Sequence, residues 1–272
     1  MKPALFFFFF LSLASAFGAR LTSRIHSLDV ARKVGDSHLV MLENGSVVFL
    51  KYEDKKNLRR FKTYLKKNES LDIKVDAANN VLAVETLSSP EIQGQGPEFS
   101  FPQTYEPSVL GPSEATEIFR RMRRDYQNDS QCYNRAHIWT WEEFRKSGLR
   151  SRKHFLFFTR RYIRNYRYKW WFHVSPSVLV QGLGDRILDR RYTGGPRSLN
   201  SWTSIFIASR RSCPVVNNYF DYRNNQESQD CYLIPVSMYF WQPRDIERRD
   251  LTGFVKTSYI QREVNYAYWE AF

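Results

Sequence analysis

Gln131-Cys132-Tyr133-Asn134-Arg135-Ala136-His137 opens a run that continues through Ile138, Trp139 and Phe144 to Gly148. The run has helical character, and a glycine past its last apolar residue is the usual helix stop. A helix over Cys132–Gly148 places the thiol in its first turn. There, unpaired N–H groups and the helix dipole favour a thiolate, and the same N–H groups can hold an oxyanion. Strands are expected downstream at His154–Thr159, Lys169–Val180 and Arg186–Tyr192, with a Gly182–Asp185 turn making the last two antiparallel neighbours. Ser198–Ser209 reads as helical and Cys231–Trp241 as a further strand. A helix before a mainly antiparallel sheet is an α+β domain.

A nucleophilic cysteine needs a base, and the base needs a partner that sets its tautomer. Trp171-Phe172-His173-Val174 puts a histidine inside an aromatic strand, and Arg186-Ile187-Leu188-Asp189 puts a carboxylate in the next. Antiparallel pairing can bring His173 and Asp189 together, although register is not readable at this level. His137 lies five residues past Cys132, about 140° around the helix. That position suits a histidine packed behind the site. His154 reads as structural or exposed, and His26 and His38 show no visible partners.

Upstream, Ser113 followed by Glu114, Ala115 and Glu117 marks a helix start, with Ile118, Phe119 and Met122 behind it. Residues 88–112 crowd Pro90, Gly94, Gly96, Pro97, Pro102, Pro107, Gly111 and Pro112 into a polar stretch and read as a linker. Before the linker, residues 17–87 hold a small α/β unit. His38–Leu42 and Ser46–Lys51 are apolar runs joined by Glu43-Asn44-Gly45, a strong hairpin signal. Asp54 then precedes a helix over Lys55–Asn68, with Leu58, Phe61 and Leu65 on one face and a basic face opposite. Leu71–Val75 and Val81–Leu87 form a second hairpin. At the start, Lys2, the apolar Leu5–Leu13 and Ala14-Ser15-Ala16 have the pattern of a signal peptide over residues 1–16. A secreted or periplasmic protein is therefore expected, with no membrane span after cleavage.

The chain has 272 residues and a formal charge of +13, with 16% aromatic residues, which excludes disorder and predicts attraction to anionic surfaces. Arg160, Arg161, Arg164, Arg167 and Lys169 interleave with Tyr162, Tyr166, Tyr168, Trp170 and Trp171. Stacking aromatics between cations can hold single-stranded nucleic acid, but alternating aromatics also build ordinary strands, and the latter is preferred. No phosphate-binding glycine loop, HExxH or GxSxG is present. Of three cysteines, Cys213 and Cys231 flank a polar loop. A disulfide there would contribute about 3 kcal/mol on chain-entropy grounds and leave Cys132 free, as a nucleophile requires.

Cys132-Tyr133-Asn134-Arg135-Ala136-His137, then His173-Val174, then Leu188-Asp189, in that order, resemble the bacterial protein-glutaminase (protein-glutamine deamidase) family. Gly195-Pro196, Trp202 and Tyr239-Phe240-Trp241-Gln242-Pro243 extend the resemblance across residues 113–245. It implies a papain- or transglutaminase-like thiol hydrolase core over residues 113–272, with Cys132 as nucleophile, His173 as base and acid, and Asp189 as orienter. The family aspartate is commonly followed by proline. Here Arg190 and Arg191 follow, so Asp185 stands as the alternative orienter. The activity implied is deamidation of exposed protein glutamine without metal or organic cofactor. Transglutamination, peptide cleavage or a non-catalytic basic protein are the alternatives. A monomer is expected, and residues 17–87 suit a pro-region.

Overall fold

The computed structural model describes residues 19–86, 101–102, 105–125, 131–209, 212–247, 254–255 and 260–272. The expected signal peptide lies outside the described residues, as do residues 88–100 and 103–104 of the linker. The N-terminal unit comprises β1 (Ala19–Asp29), β2 (Ser37–Leu42), β3 (Val47–Lys51), α1 (Lys55–Lys67), β4 (Ser70–Val75) and β5 (Val81–Thr86). The sheet runs β3-β2-β1-β4-β5, every pairing antiparallel. Both expected hairpins form. β1 is an addition at the sheet's centre, between them. Its alternation is broken by a bulge between Ile25 and Ser27, which hides the period that would mark it as a strand.

Helix α1 begins at Asp54, whose carboxylate accepts from Asn57 N at 3.0 Å, and closes at Asn68 in the left-handed region. Leu58 and Phe61 are buried, but Leu65 remains at the surface. Val40, Leu42, Val48 and Leu50 join Leu58 and Phe61 in one core. The alternate residues Leu39, Met41, Val47 and Phe49 join the core of the second unit instead. The β2–β3 hairpin is thus buried on both faces, which explains its unbroken apolar runs.

Beyond it come β6 (Phe101–Pro102), β7 (Val109–Leu110), α2 (Pro112–Arg121), α3 (Cys132–Ser147), β8 (Arg152–Phe158), α4 (Arg160–Tyr166), β9 (Phe172–Val180) and β10 (Gly184–Ile187). They are followed by α5 (Leu199–Thr203), α6 (Tyr219–Asn224), β11 (Cys231–Ser237), α7 (Pro243–Glu247), β12 (Phe254–Val255) and α8 (Ile260–Ala271). A sheet ordered β10-β9-β8-β11, antiparallel throughout, takes β7 as a short parallel partner of β9. The protein is a mixed α+β structure with antiparallel sheets.

Four expectations need correction, the first being the helix expected over 198–209, which is only α5 (Leu199–Thr203). The linker is not wholly irregular: β6 pairs with β12, β7 pairs with β9, and α2 starts at Pro112, where proline's missing N–H costs nothing. The basic-aromatic stretch is largely helix α4, because Thr159 caps it by accepting from Tyr162 N and Arg167 ends it at φ 49°. Finally, β10 stops at Ile187, so Asp189 sits in a turn beyond the strand.

Candidate active site

Helix α3 starts at Cys132 with no side-chain cap, and Gly148 ends it in the left-handed region. The thiol is therefore in the first turn, beside N–H groups that no capping side chain takes up. Behind the thiol the helix is anchored by polar contacts. Asn134 accepts from Trp241 Nε1 at 2.9 Å and donates to Glu270 at 2.7 Å, while Tyr133 OH donates to Glu270 at 3.2 Å.

Strand β9 presents His173 to this helix end. Its Nε2 lies 2.6 Å from Asp189 Oδ2, and the Cys132 thiol lines the same pocket as the ring. The same carboxylate oxygen accepts from Trp202 Nε1 at 2.8 Å. The turn bearing Asp189 is tied down: Leu188 N donates to Pro176 O, and Thr193 N and Oγ1 both donate to Asp189 O. Arg190, which follows Asp189, lies over the Phe119 ring and leaves this geometry intact. Phe206, Tyr192, Trp202 and Trp170 surround the His173 ring with centroids 4.5–6.2 Å away.

Burial works against a charge on His173. The Asp189 carboxylate, its hydrogen bond and the Cys132 thiol outweigh burial and raise the imidazole to about 9. Asp185, the alternative orienter, points elsewhere. It pairs with Arg152 at 3.2 Å and faces His154 at 3.6 Å.

His137 does lie behind the site. Its Nδ1 is 2.6 Å from Lys153 Nζ, its ring stacks on Trp241, and Glu263 is 3.7 Å from its Nε2. Complete burial drives Lys153 well below the ordinary lysine range, against the pull of Glu263 and Asp245. His154 is a buried structural residue, bonded to Ser177 Oγ at 2.9 Å. His38, expected to be unpartnered, accepts from Ala31 N at 2.8 Å. His26 stacks on Trp171 at 4.2 Å and meets Tyr219 OH at 3.1 Å, and burial lowers it to about 4, helped by Arg223. The disulfide Cys213–Cys231 is formed and Cys132 is a free, buried thiol. Among the described residues no His, Cys, Asp and Glu group could hold a metal.

A pro-region over residues 17–87 was expected to cover this site, but not which of its residues would do so. The pocket is lined by Cys132, His173, Trp170, Phe172 and Tyr192 from one unit and by Asn44 and Gly45 from the other. Trp171 N donates to Gly45 O at 3.0 Å, Val47 N to Lys169 O at 2.7 Å, and Trp171 Nε1 to Leu42 O at 2.7 Å. Gly45 has φ 91°, and a Cβ there would meet Phe172 at 3.2 Å, so only glycine fits this tip. The Asn-Gly hairpin was legible as a turn. Its burial on both faces was the available sign of a second partner.

A family model described as glutaminase matches residues 112–206, the segment holding Cys132, His173, Asp189 and Trp202. A crystal structure of the A47Q2 mutant of pro-protein-glutaminase is similar over 93% of this chain and 91% of its own. The identity is 12% and the TM-score 0.50. Residues 112–206 thus match a glutaminase family model, and the chain shares the fold of pro-protein-glutaminase. A second structure, of pro-protein-glutaminase, aligns with the same coverage and identity at TM-score 0.48. An NMR structure of protein-glutaminase from Chryseobacterium proteolyticum aligns over 57% of this chain and 85% of its own at 13% identity and TM-score 0.35. No curated protein matches the chain. The matched segment supplies Cys132, Trp170, Phe172, His173 and Tyr192 of the pocket.

Proposed function

We propose that this protein is an exported thiol amidohydrolase that converts protein-bound glutamine to glutamate with release of ammonia. One observation carries the reading: a helix-start thiol and a buried, carboxylate-bound histidine line one pocket within the segment that matches the glutaminase family model. The Cys132 thiolate attacks the carboxamide carbon, and first-turn N–H groups of α3 take the oxyanion charge. His173, held protonated by Asp189, gives its proton to the departing ammonia, then takes one from the water that opens the thioester. Trp202 and Asp189 keep the ring in one orientation. A helix-borne cysteine followed by antiparallel strands supports a papain- or transglutaminase-like core. Cys213–Cys231 suits an oxidising compartment, and no described helix is long and apolar enough to cross a membrane.

Residues 17–87 act as an inhibitory pro-region in this reading, since Asn44 and Gly45 roof the pocket. Incubation with casein tests the activity. Ammonia without fragments or cross-links is the expected result, whereas cross-links mean transglutamination and fragments mean peptide cleavage. Limited proteolysis in the linker tests the pro-region: amidase activity should rise. A fall on proteins with no change on small amides would instead make the unit a recruiting domain.

A further inference from the structure

The N-terminal unit reaches the pocket through a ring of cations. Glu43, next to the pocket-lining Asn44, meets Arg244 of α7 at 3.7 Å. On the other side of the tip, Lys169 Nζ donates to Ala77 O and Arg167 donates to Asn80 Oδ1, each at 2.6 Å. Farther out, Asp29 pairs with Arg160 at 3.6 Å and with Arg164, which also meets Glu227 at 3.4 Å. The glutaminase unit thus offers five cations along the covered face, and the cover answers them with carboxylates and neutral oxygens.

The backbone path over the pocket is equally specific. The segment Gly45–Val47 runs antiparallel to Lys169–Trp171, using Trp171 N–H and Lys169 C=O. Any polypeptide delivering a side chain to Cys132 through the same opening meets that same donor and acceptor. It therefore passes the same cations.

We propose that this face selects acidic substrate segments: Arg244 reads a carboxylate one or two residues before the target glutamine, and Arg167 and Lys169, which meet oxygens of the separate 77–80 turn, add positive charge beside the same path. The inference rests on the deamidase reading above and adds its substrate class. Charge complementarity at partly exposed pairs sets preference more than absolute affinity.

The test uses the full chain, folded and then cut in the linker, with both pieces kept in the sample. Three peptides, with Glu, Ala or Lys at the two positions before a central glutamine, compete in one mixture. Residual N-terminal unit inhibits all three alike, so the ratios of kcat/KM survive it. The Glu peptide should exceed the Ala peptide by about three- to fivefold at low salt, and the Lys peptide should fall below both. High salt should compress the order, and Arg244→Gln should bring the Glu/Ala ratio towards one. If that variant does not fold, Arg167→Gln with Lys169→Gln should narrow the spread. Ammonia from all three peptides at equal rates overturns the charge selection and leaves the deamidase reading standing. Ammonia from none, with Cys132 still alkylatable, overturns the deamidase reading itself.

Discussion

Two histidines on neighbouring strands, His173 on β9 and His154 on β8, are equally buried and each faces an aspartate. Their chemistry diverges completely. His173 is raised to about 9, whereas burial drives His154 down to about 4, with Arg152 adding to the fall and Asp185 opposing it. The difference lies in how the carboxylate is committed. Asp189 approaches His173 at 2.6 Å, steadied by the neutral donor Trp202. Asp185 stands 3.6 Å from His154 and is already engaged by the Arg152 guanidinium. Burial supplies the same penalty at both sites. A close carboxylate that no other cation engages favours the imidazolium at His173, while one already paired with arginine leaves burial to win at His154.

The comparison breaks most decisively at the nucleophile and its base. Cys132→Ala and His173→Ala should each lower ammonia release by more than about 10³-fold while circular dichroism stays native, and His154→Gln should retain turnover if it folds. Turnover by Cys132→Ala at the wild-type rate would defeat the thiol mechanism. The next contrast is between carboxylates. Asp189→Asn should slow release by about 10²- to 10⁴-fold, whereas Asp185→Asn should leave it near wild type, as steady-state kinetics on one glutamine peptide would report.

Stability should carry the same signature. His173 has a folded-state value above its unfolded one, so its stabilising contribution is complete below about 6.5 and is lost as pH rises through about 9. Urea unfolding of the wild type between pH 6 and 10 should weaken more steeply than that of His173→Gln. Parallel curves would count against the imidazolium. The smallest effect belongs to Arg152→Gln. It frees Asp185, and the His154 titration followed by NMR should move up from about 4, with a stability change of about 1 kcal/mol or less at neutral pH.

Much of the site was legible because its logic is local. A cysteine at a helix start, a glycine at the helix end, and a histidine and aspartate on successive elements are each written in short windows. The free thiol and the Cys213–Cys231 pairing followed from counting. Strand β1 and helix α4 were less legible. A bulge disrupts the period of β1, and the aromatics of α4 fit a helix or a strand equally well until Thr159 and Arg167 are seen as its caps.

The amino-acid sequence by itself determined the α+β class, the helix that carries Cys132, the Asn44-Gly45 turn and the residues able to act together. Tertiary structure decided which aspartate His173 meets: Asp185 stays on β10 against Arg152, while the turn beyond the strand carries Asp189 to the imidazole. It also decided that Asn44 and Gly45 roof the pocket, and that Arg167, Lys169 and Arg244 face the covering unit. The physical reason is range. Periodicity, caps and turn chemistry act over a few residues, while a buried ion pair depends on which distant segments packing brings within hydrogen-bond reach.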